Sequence, residues 1–200
     1  MKKLILIFGL FFSVALEAQE SEKIWFVKDF QISLGFSNLA PNKGMMGDAH
    51  SKAFPEVAAR IGVFHYDRLS VGMFGSIHNM KVKDRQYYGD FEKTTVRSIG
   101  PYVSYFQPIS SSSLLEPYIS YDYAYYNANF DRKKLSFESD GFGMGLDFEH
   151  KVSEKGYFIL GFKYSVNKLR TETNPSWEKY LNNYNFFSVK MGFTFASNRL

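Results

Sequence analysis

Seven charged residues stand out for the company they keep. Arg60, Glu116, Asp122, Asp147, Glu149, Lys163 and Lys190 lie in segments where every second residue is apolar, and each falls on the opposite parity, mostly among glycines, serines and alanines. Both signs are present, so these groups can pair with one another wherever that face is enclosed, and a buried charge needs such a partner. The same groups could also line an ion path or a binding site. The remaining groups with chemical potential are scattered. His50, His65, His78 and His150 show no metal-ligand spacing. Gly141-Phe142-Gly143-Met144-Gly145 is glycine-rich, but a nucleotide-binding loop needs a helix directly after its strand, and here the alternation runs on. Alternate glycines on one face of a strand fit a crowded interior better. No cofactor or metal is implied.

The elements that must carry these residues are strands. The closing stretch, Asn185–Phe195, places Phe187, Val189, Met191, Phe193 and Phe195 on one parity and Phe186, Ser188, Lys190, Gly192 and Thr194 on the other. That period of two belongs to a half-buried β-strand. The same alternation recurs in Asp29–Ser37, Glu56–His65, Leu69–His78, Thr94–Phe106, Leu114–Asn127, Gly141–Glu149 and Tyr157–Asn167, making eight strands of about ten residues. Pro101 weakens the fourth, because proline cannot donate to a ladder. Connections alternate in length. Asn38–Pro55, Asn79–Lys93, Ala128–Asp140 and Lys168–Tyr184 are long. Tyr66–Arg68, Gln107–Ser113 and His150–Gly156 are short. No helical periodicity interrupts the pattern.

The bulk composition bounds the class. Two hundred residues suit one domain. The net charge is +4, and +3 once Lys2, Lys3 and Glu17 are removed with the leader (4 − 2 + 1). No dense basic stripe accompanies it, so nucleic acid is not an expected partner. The absence of cysteine excludes disulfides, thiolate catalysis, Cys-ligated zinc and lipid attachment through an N-terminal Cys. Aromatic residues reach 18%, yet no apolar run after the N-terminus is long enough to span a bilayer. Residues 1–18 read as a signal peptide, with Lys2 and Lys3 before an apolar stretch Leu4–Leu16 and a small residue, Ala18, before the cut. The barrel domain is then 19–200.

Two features say which face is outside. A surface in water would be rich in Lys and Glu, whereas the polar face here is largely Gly and Ser. The apolar face carries more Phe and Tyr than the interior of an eight-stranded barrel can hold, since side chains just fill it. In lipid, those rings form two girdles. Phe36, Tyr123, Tyr125, Phe142, Tyr164 and Phe187 lie towards the long loops, and Phe30, Tyr105, Phe148, Phe158 and Phe195 towards the short turns. A sheet in hydrocarbon can leave no open edge. The expected fold is all-β, an eight-stranded antiparallel up-and-down transmembrane β-barrel with both termini on the short-turn, periplasmic side. An interior filled by side chains favours the seven charges as a paired plug over an ion path.

Signal peptide, eight alternating segments and closing strand together resemble the small eight-stranded outer-membrane proteins, the group that includes the OmpA transmembrane domain and OmpX. The resemblance covers the whole mature chain and implies a bacterial outer-membrane location, contact with outer-membrane lipid and lipopolysaccharide, and recognition of Phe187, Val189, Met191, Phe193 and Phe195 by the barrel-assembly machinery. Family members usually stop at the final aromatic, whereas Ala196–Leu200 follow here. The implied role is structural, adhesive or ligand-binding through the external loops. The alternatives are a lipid-modifying enzyme of lipid A deacylase type, or a narrow pore. Such deacylases use a lipid-facing His and Ser. Here His78 shares the lumen parity with Ser76, His65 is expected to point outward near a periplasmic turn, and His50 lies in a loop. No non-lipid external ligand is legible, and no catalytic residues are assigned.

Overall fold

The computed structural model describes residues 24–39, 44–50, 53–85, 91–130, 133–171 and 175–196. The expected signal peptide and residues 197–200 lie outside the described residues. The eight strands are β1 (Ile24–Leu39), β2 (Ala53–Tyr66), β3 (Leu69–Lys81), β4 (Lys93–Tyr105), β5 (Ser113–Phe130), β6 (Lys133–Lys151), β7 (Gly156–Leu169) and β8 (Asn183–Ala196). Each pairs antiparallel with its sequence neighbours, and β8 returns to β1 from Asp29↔Ala196 to Leu39↔Phe186, which closes the barrel. A two-residue segment, Gln107–Pro108, continues β4 along β5.

Burial is inverted relative to a soluble domain. Phe36, Ile119 and Phe142 are 67%, 65% and 72% exposed on the outer face, whereas Gln31, Glu116, Asp147 and Glu149 are buried within. An apolar exterior on a closed ladder is what hydrocarbon demands, because every backbone polar group must be satisfied within the sheet. No described helix is long and apolar enough to cross a membrane; the crossing is by strands.

The strands are 13 to 19 residues long, more than the roughly 9–11 needed to span a bilayer. The surplus rises on the long-loop side, and there the burial pattern reverses. Leu39, Phe54, Met80, Val96, Tyr126, Leu169 and Tyr184 form an apolar core inside this extension, while Asn79, Lys81, Lys93 and Lys168 are exposed outside it. Water now bathes the exterior, so apolar residues move to the inside.

Three expectations need correction. The stretch Ala128–Asp140 is not a long loop: β5 and β6 pair from Ser113↔His150 up to Phe130↔Lys133, and only residues 131–132 lie between the two strands. Its Asn, Lys, Ser and Glu residues hid the strand because a ladder above the membrane needs no apolar outer face. Secondly, two of the long connections contain helices, α1 (Met45–Ala49) and α2 (Pro175–Asn182). Thirdly, β2 carries an extra residue. Gly62 pairs with Gly72 but Phe64 pairs with Val71, and this bulge flips the parity beyond it. Phe64, expected inside, is only partly buried, and His65, expected outside, is 2% exposed within the barrel.

Candidate functional site

The middle of the lumen is built around Arg60 from β2. Its Nη2 lies 2.6 Å from Glu116 Oε1 of β5 and its Nη1 3.2 Å from Asp147 Oδ2 of β6. Asp147 also accepts from Lys190 Nζ of β8 at 2.9 Å and from Gln31 Nε2 of β1 at 3.1 Å. Five strands thus converge on one carboxylate–guanidinium cluster. The rings of Tyr102 and Tyr118 flank the guanidinium, each with its centroid 4.6 Å from Arg60 Cζ, an arrangement that offsets part of the desolvation of a cation. Gly145 makes room for it: a Cβ there would collide with the Tyr118 ring.

A second layer lies nearer the long loops. Lys163 Nζ of β7 reaches Asp122 Oδ2 at 2.5 Å and stands 4.1 Å over the Phe74 ring, while Ser120 Oγ donates to Asp122 at 2.6 Å. Glu56 accepts from Ser37, which also bonds Ser188. His78 stacks on Phe54 at 4.8 Å and meets the edge of Phe186. A third layer lies at the turn end. Asp29 Oδ2 is 3.3 Å from His65 Nε2, Asp29 Oδ1 accepts from Gly62 N at 3.0 Å, and His65 stacks on Phe106. Glu149 accepts from Thr194 Oγ1 at 3.4 Å.

Of the seven charges read from the sequence, Arg60, Glu116, Asp147 and Lys190 share one cluster and Asp122 pairs with Lys163 in another. Glu149 lies apart from both, in the third layer beside Thr194. Glu56 and Asp29 escaped notice. Glu56 opens its strand run on the lumen parity of Ala58 and Arg60, and Asp29 shares the parity of Gln31, so the alternation extended to the first residue of each run carries the signal for both.

Both ends carry apolar packing among the described residues. Phe106, Leu114, Tyr157 and Ala196 form an apolar cluster at the turn end. At the other end α1 seats on the mouth. Met46, Ala49 and His50 are buried, and Lys83 N and Asp84 N donate to Ala49 O at 2.7 and 3.1 Å. His50 lies 2.8 Å from Thr94 Oγ1 and 3.1 Å from Met46 O. Burial lowers its pKa to about 4, against the opposing pull of the Met46 carbonyl. Tyr180 of α2 donates to Asp48 of α1 at 3.0 Å, locking the two external connections together. Two cavities in the lumen measure about 30 and 20 Å³, room for roughly one water each. The described part of the lumen is filled around these clusters by side chains.

Catalytic geometry is sparse. No cluster of three metal-capable side chains occurs among the described residues. His65 and His78 are inside the barrel, and His50 is inside the cap. One Ser–His contact was missed in the sequence: Ser113 Oγ lies 2.9 Å from His150 Nδ1 across the β5–β6 ladder at the turn end. Cross-strand neighbours 37 residues apart carry no sequence signature.

On the outer face, Phe187, Val189, Met191, Phe193 and Phe195 of β8 are all exposed to the surroundings while their backbones pair with β1 and β7. Neither a protein-family model nor a curated protein matches the sequence. Solved structures do match the fold. Neisserial surface protein A (NspA) superposes with a TM-score of 0.62 at 12% identity, covering 84% of this chain and 96% of that one. OprG of Pseudomonas aeruginosa, an outer membrane protein, gives 0.51 at 15% identity over 85% and 96%. Closed ladder, apolar exterior, polar interior and shared fold converge: this chain is a small eight-stranded β-barrel of the bacterial outer membrane.

Proposed function

We propose that this barrel conducts nothing and catalyses nothing, and that it serves as an envelope scaffold presenting a rigid external interaction surface for adhesion or ligand capture. The observation that carries this is the cap. The protein spends α1 and the upper ends of its strands on a second, apolar core above the membrane, and α2 is tied to α1 through Tyr180 and Asp48. A purely structural span would need no such core, and a pore would be obstructed by it. The β5–β6 hairpin rises beyond its neighbours: β4 leaves β5 at Ala128 and β7 leaves β6 at Ser139, whereas the hairpin continues to Phe130↔Lys133. In this reading residues 1–18 direct export, the outer face of β8 is read by the barrel-assembly machinery, and the outer band contacts lipid and lipopolysaccharide. The external ligand is a molecule outside the envelope, met by the loops.

The test is adherence of cells displaying the wild-type protein against cells displaying a variant in which residues 129–134 are replaced by Asn-Gly. We expect adherence to fall with the trimmed hairpin while the barrel still shifts its gel mobility on boiling. Equal adherence of both strains and of a deletion strain would remove the interaction role. Single-channel currents from the wild-type protein would remove the non-conducting one.

A further inference from the structure

Two exterior cations above the apolar band are matched by acids. Lys168 Nζ of β7 lies 2.5 Å from Glu178 Oε1, and Arg170 holds Asp140 through both Nε and Nη2. The β3–β4 seam is different. Lys81 and Lys93 stand directly opposite each other on the outer parity of that ladder, and both are exposed. Lower on the same face of β4, Arg97 is exposed between Ile77 of β3 and Tyr125 of β5. Among the described residues no acid forms an ion pair with any of these three cations. The rung between them is polar as well: Thr95 Oγ1 donates to Asn79 Oδ1 at 2.7 Å. Next on this face below Arg97 comes Ile99, 55% exposed, where the apolar band begins. Like charges directly opposite on a ladder destabilise it, so a lysine pair held in register is strained electrostatically until an anion sits between its members.

We propose that Lys81, Lys93 and Arg97 form a binding site for one phosphorylated glycolipid of the outer leaflet, with phosphate groups on the lysine pair and on the guanidinium. Depth argues for that occupant. From Lys93 to Arg97 the strand advances about 14 Å, or roughly 10 Å along the membrane normal at the usual barrel tilt. The polar layer of a bilayer is only about 5–8 Å deep on each side, so a simple phospholipid headgroup beside Arg97 ends below the lysines. A phosphorylated saccharide is tall enough to meet both ends. The Thr95–Asn79 rung between them offers hydrogen-bonding groups to sugar hydroxyls. Charge-assisted bonds to phosphate are the strong ones, Arg as a fork and Lys as a point charge. The site rests on the contact with outer-leaflet lipid proposed above and is separate from the β5–β6 hairpin, so the adherence test of the hairpin stands or falls independently.

The probe is rough lipopolysaccharide, titrated by calorimetry into the full-length mature protein folded in neutral detergent micelles. The wild type is expected to bind it saturably at one per protein. Binding should be at least about tenfold weaker for the same glycolipid stripped of phosphate, for 1-palmitoyl-2-oleoyl phosphatidylglycerol and for soluble inositol hexakisphosphate. Lys81→Gln combined with Lys93→Gln, and Arg97→Gln by itself, should each weaken lipopolysaccharide binding about tenfold. Lys168→Gln, which removes an external cation elsewhere, should bind as the wild type does. Lys93→Glu separates binding from a structural role: it relieves the lysine repulsion, so it should raise the urea midpoint while weakening binding. Heat-shifted gel mobility confirms that each variant is folded, and either patch variant suffices if the other fails to fold. Non-saturating uptake by the wild type, equal binding by Lys168→Gln and the folded patch variants, or a lowered midpoint in Lys93→Glu would overturn the site. Undiminished binding of the phosphate-stripped glycolipid would overturn the phosphate contacts. Phosphatidylglycerol or inositol hexakisphosphate binding as tightly as lipopolysaccharide would overturn the glycolipid as occupant.

Discussion

At the scale of single residues, the interior is held by charges that cannot be removed singly. Glu116 and Asp147 are fully buried beside Arg60. Arg60→Met takes away the cation they share, and breaking a buried pair in this way costs about 3–5 kcal/mol. Urea titration of the protein in lipid vesicles should show that loss, and Arg60→Met with Glu116→Gln should recover part of it. A loss under about 1 kcal/mol would mean the cluster is hydrated, contrary to a packed lumen. His50 yields a prediction about pH. Its folded pKa, lowered to about 4 by burial, lies below the ordinary 6.5, so the folded cap favours the neutral ring. The stabilisation is therefore complete above pH 6.5 and drains away as the pH falls through 4. Hydrogen exchange at the Lys83 and Asp84 amides, which bond Ala49 O, reports cap opening. Relative to His50→Asn, their protection should hold above pH 6.5 and fall towards pH 4; a pH-independent ratio would show that His50 does not latch the cap. The inward charges were legible because parity assigns a face. His65 was not, because one inserted residue in β2 reverses parity and leaves no mark in the alternation.

At the scale of elements, the membrane-spanning portions were legible and the portions above them were not. Within hydrocarbon, each outward residue must be apolar, and the period of two is plain. Above it, the constraint on the outer face disappears, and residues 128–140 of the β5–β6 hairpin look like any polar connection. The helix α2 did leave a trace, in Pro175 at its first position, but eight residues give a weak periodic signal. The cap core was hidden for a different reason: Leu39, Met46, Tyr126 and Tyr184 come from distant segments. Topology gives the prediction at this scale. Trypsin added to intact cells should cut only on the long-loop side, after exposed residues such as Arg85 or Lys179, or after Arg132 outside the described residues. Arg68 and Lys155, on exposed short turns, should be spared until the envelope is opened. Cleavage after either in sealed cells would invert the orientation.

At the scale of the whole molecule, two solvents dictate one inside-out and one ordinary protein stacked end to end. The lower part has a charged interior and an apolar exterior, and the upper part has an apolar interior and a polar exterior, along the same continuous strands. The account rests on the claim that the lower exterior faces hydrocarbon. Ile119 and Asn127 test it, because both lie on β5 with the same outward parity, eight residues apart, one in the apolar band and the other above it. A charge at the bilayer midplane costs about 2–4 kcal/mol and near the interface about 0–1. Ile119→Arg and Asn127→Arg, each folded into lipid vesicles and titrated with urea, should differ by that margin, with Ile119→Arg the more damaging. If Ile119→Arg cost no more than Asn127→Arg, the apolar band would not be in lipid, and the barrel would not span the membrane as described.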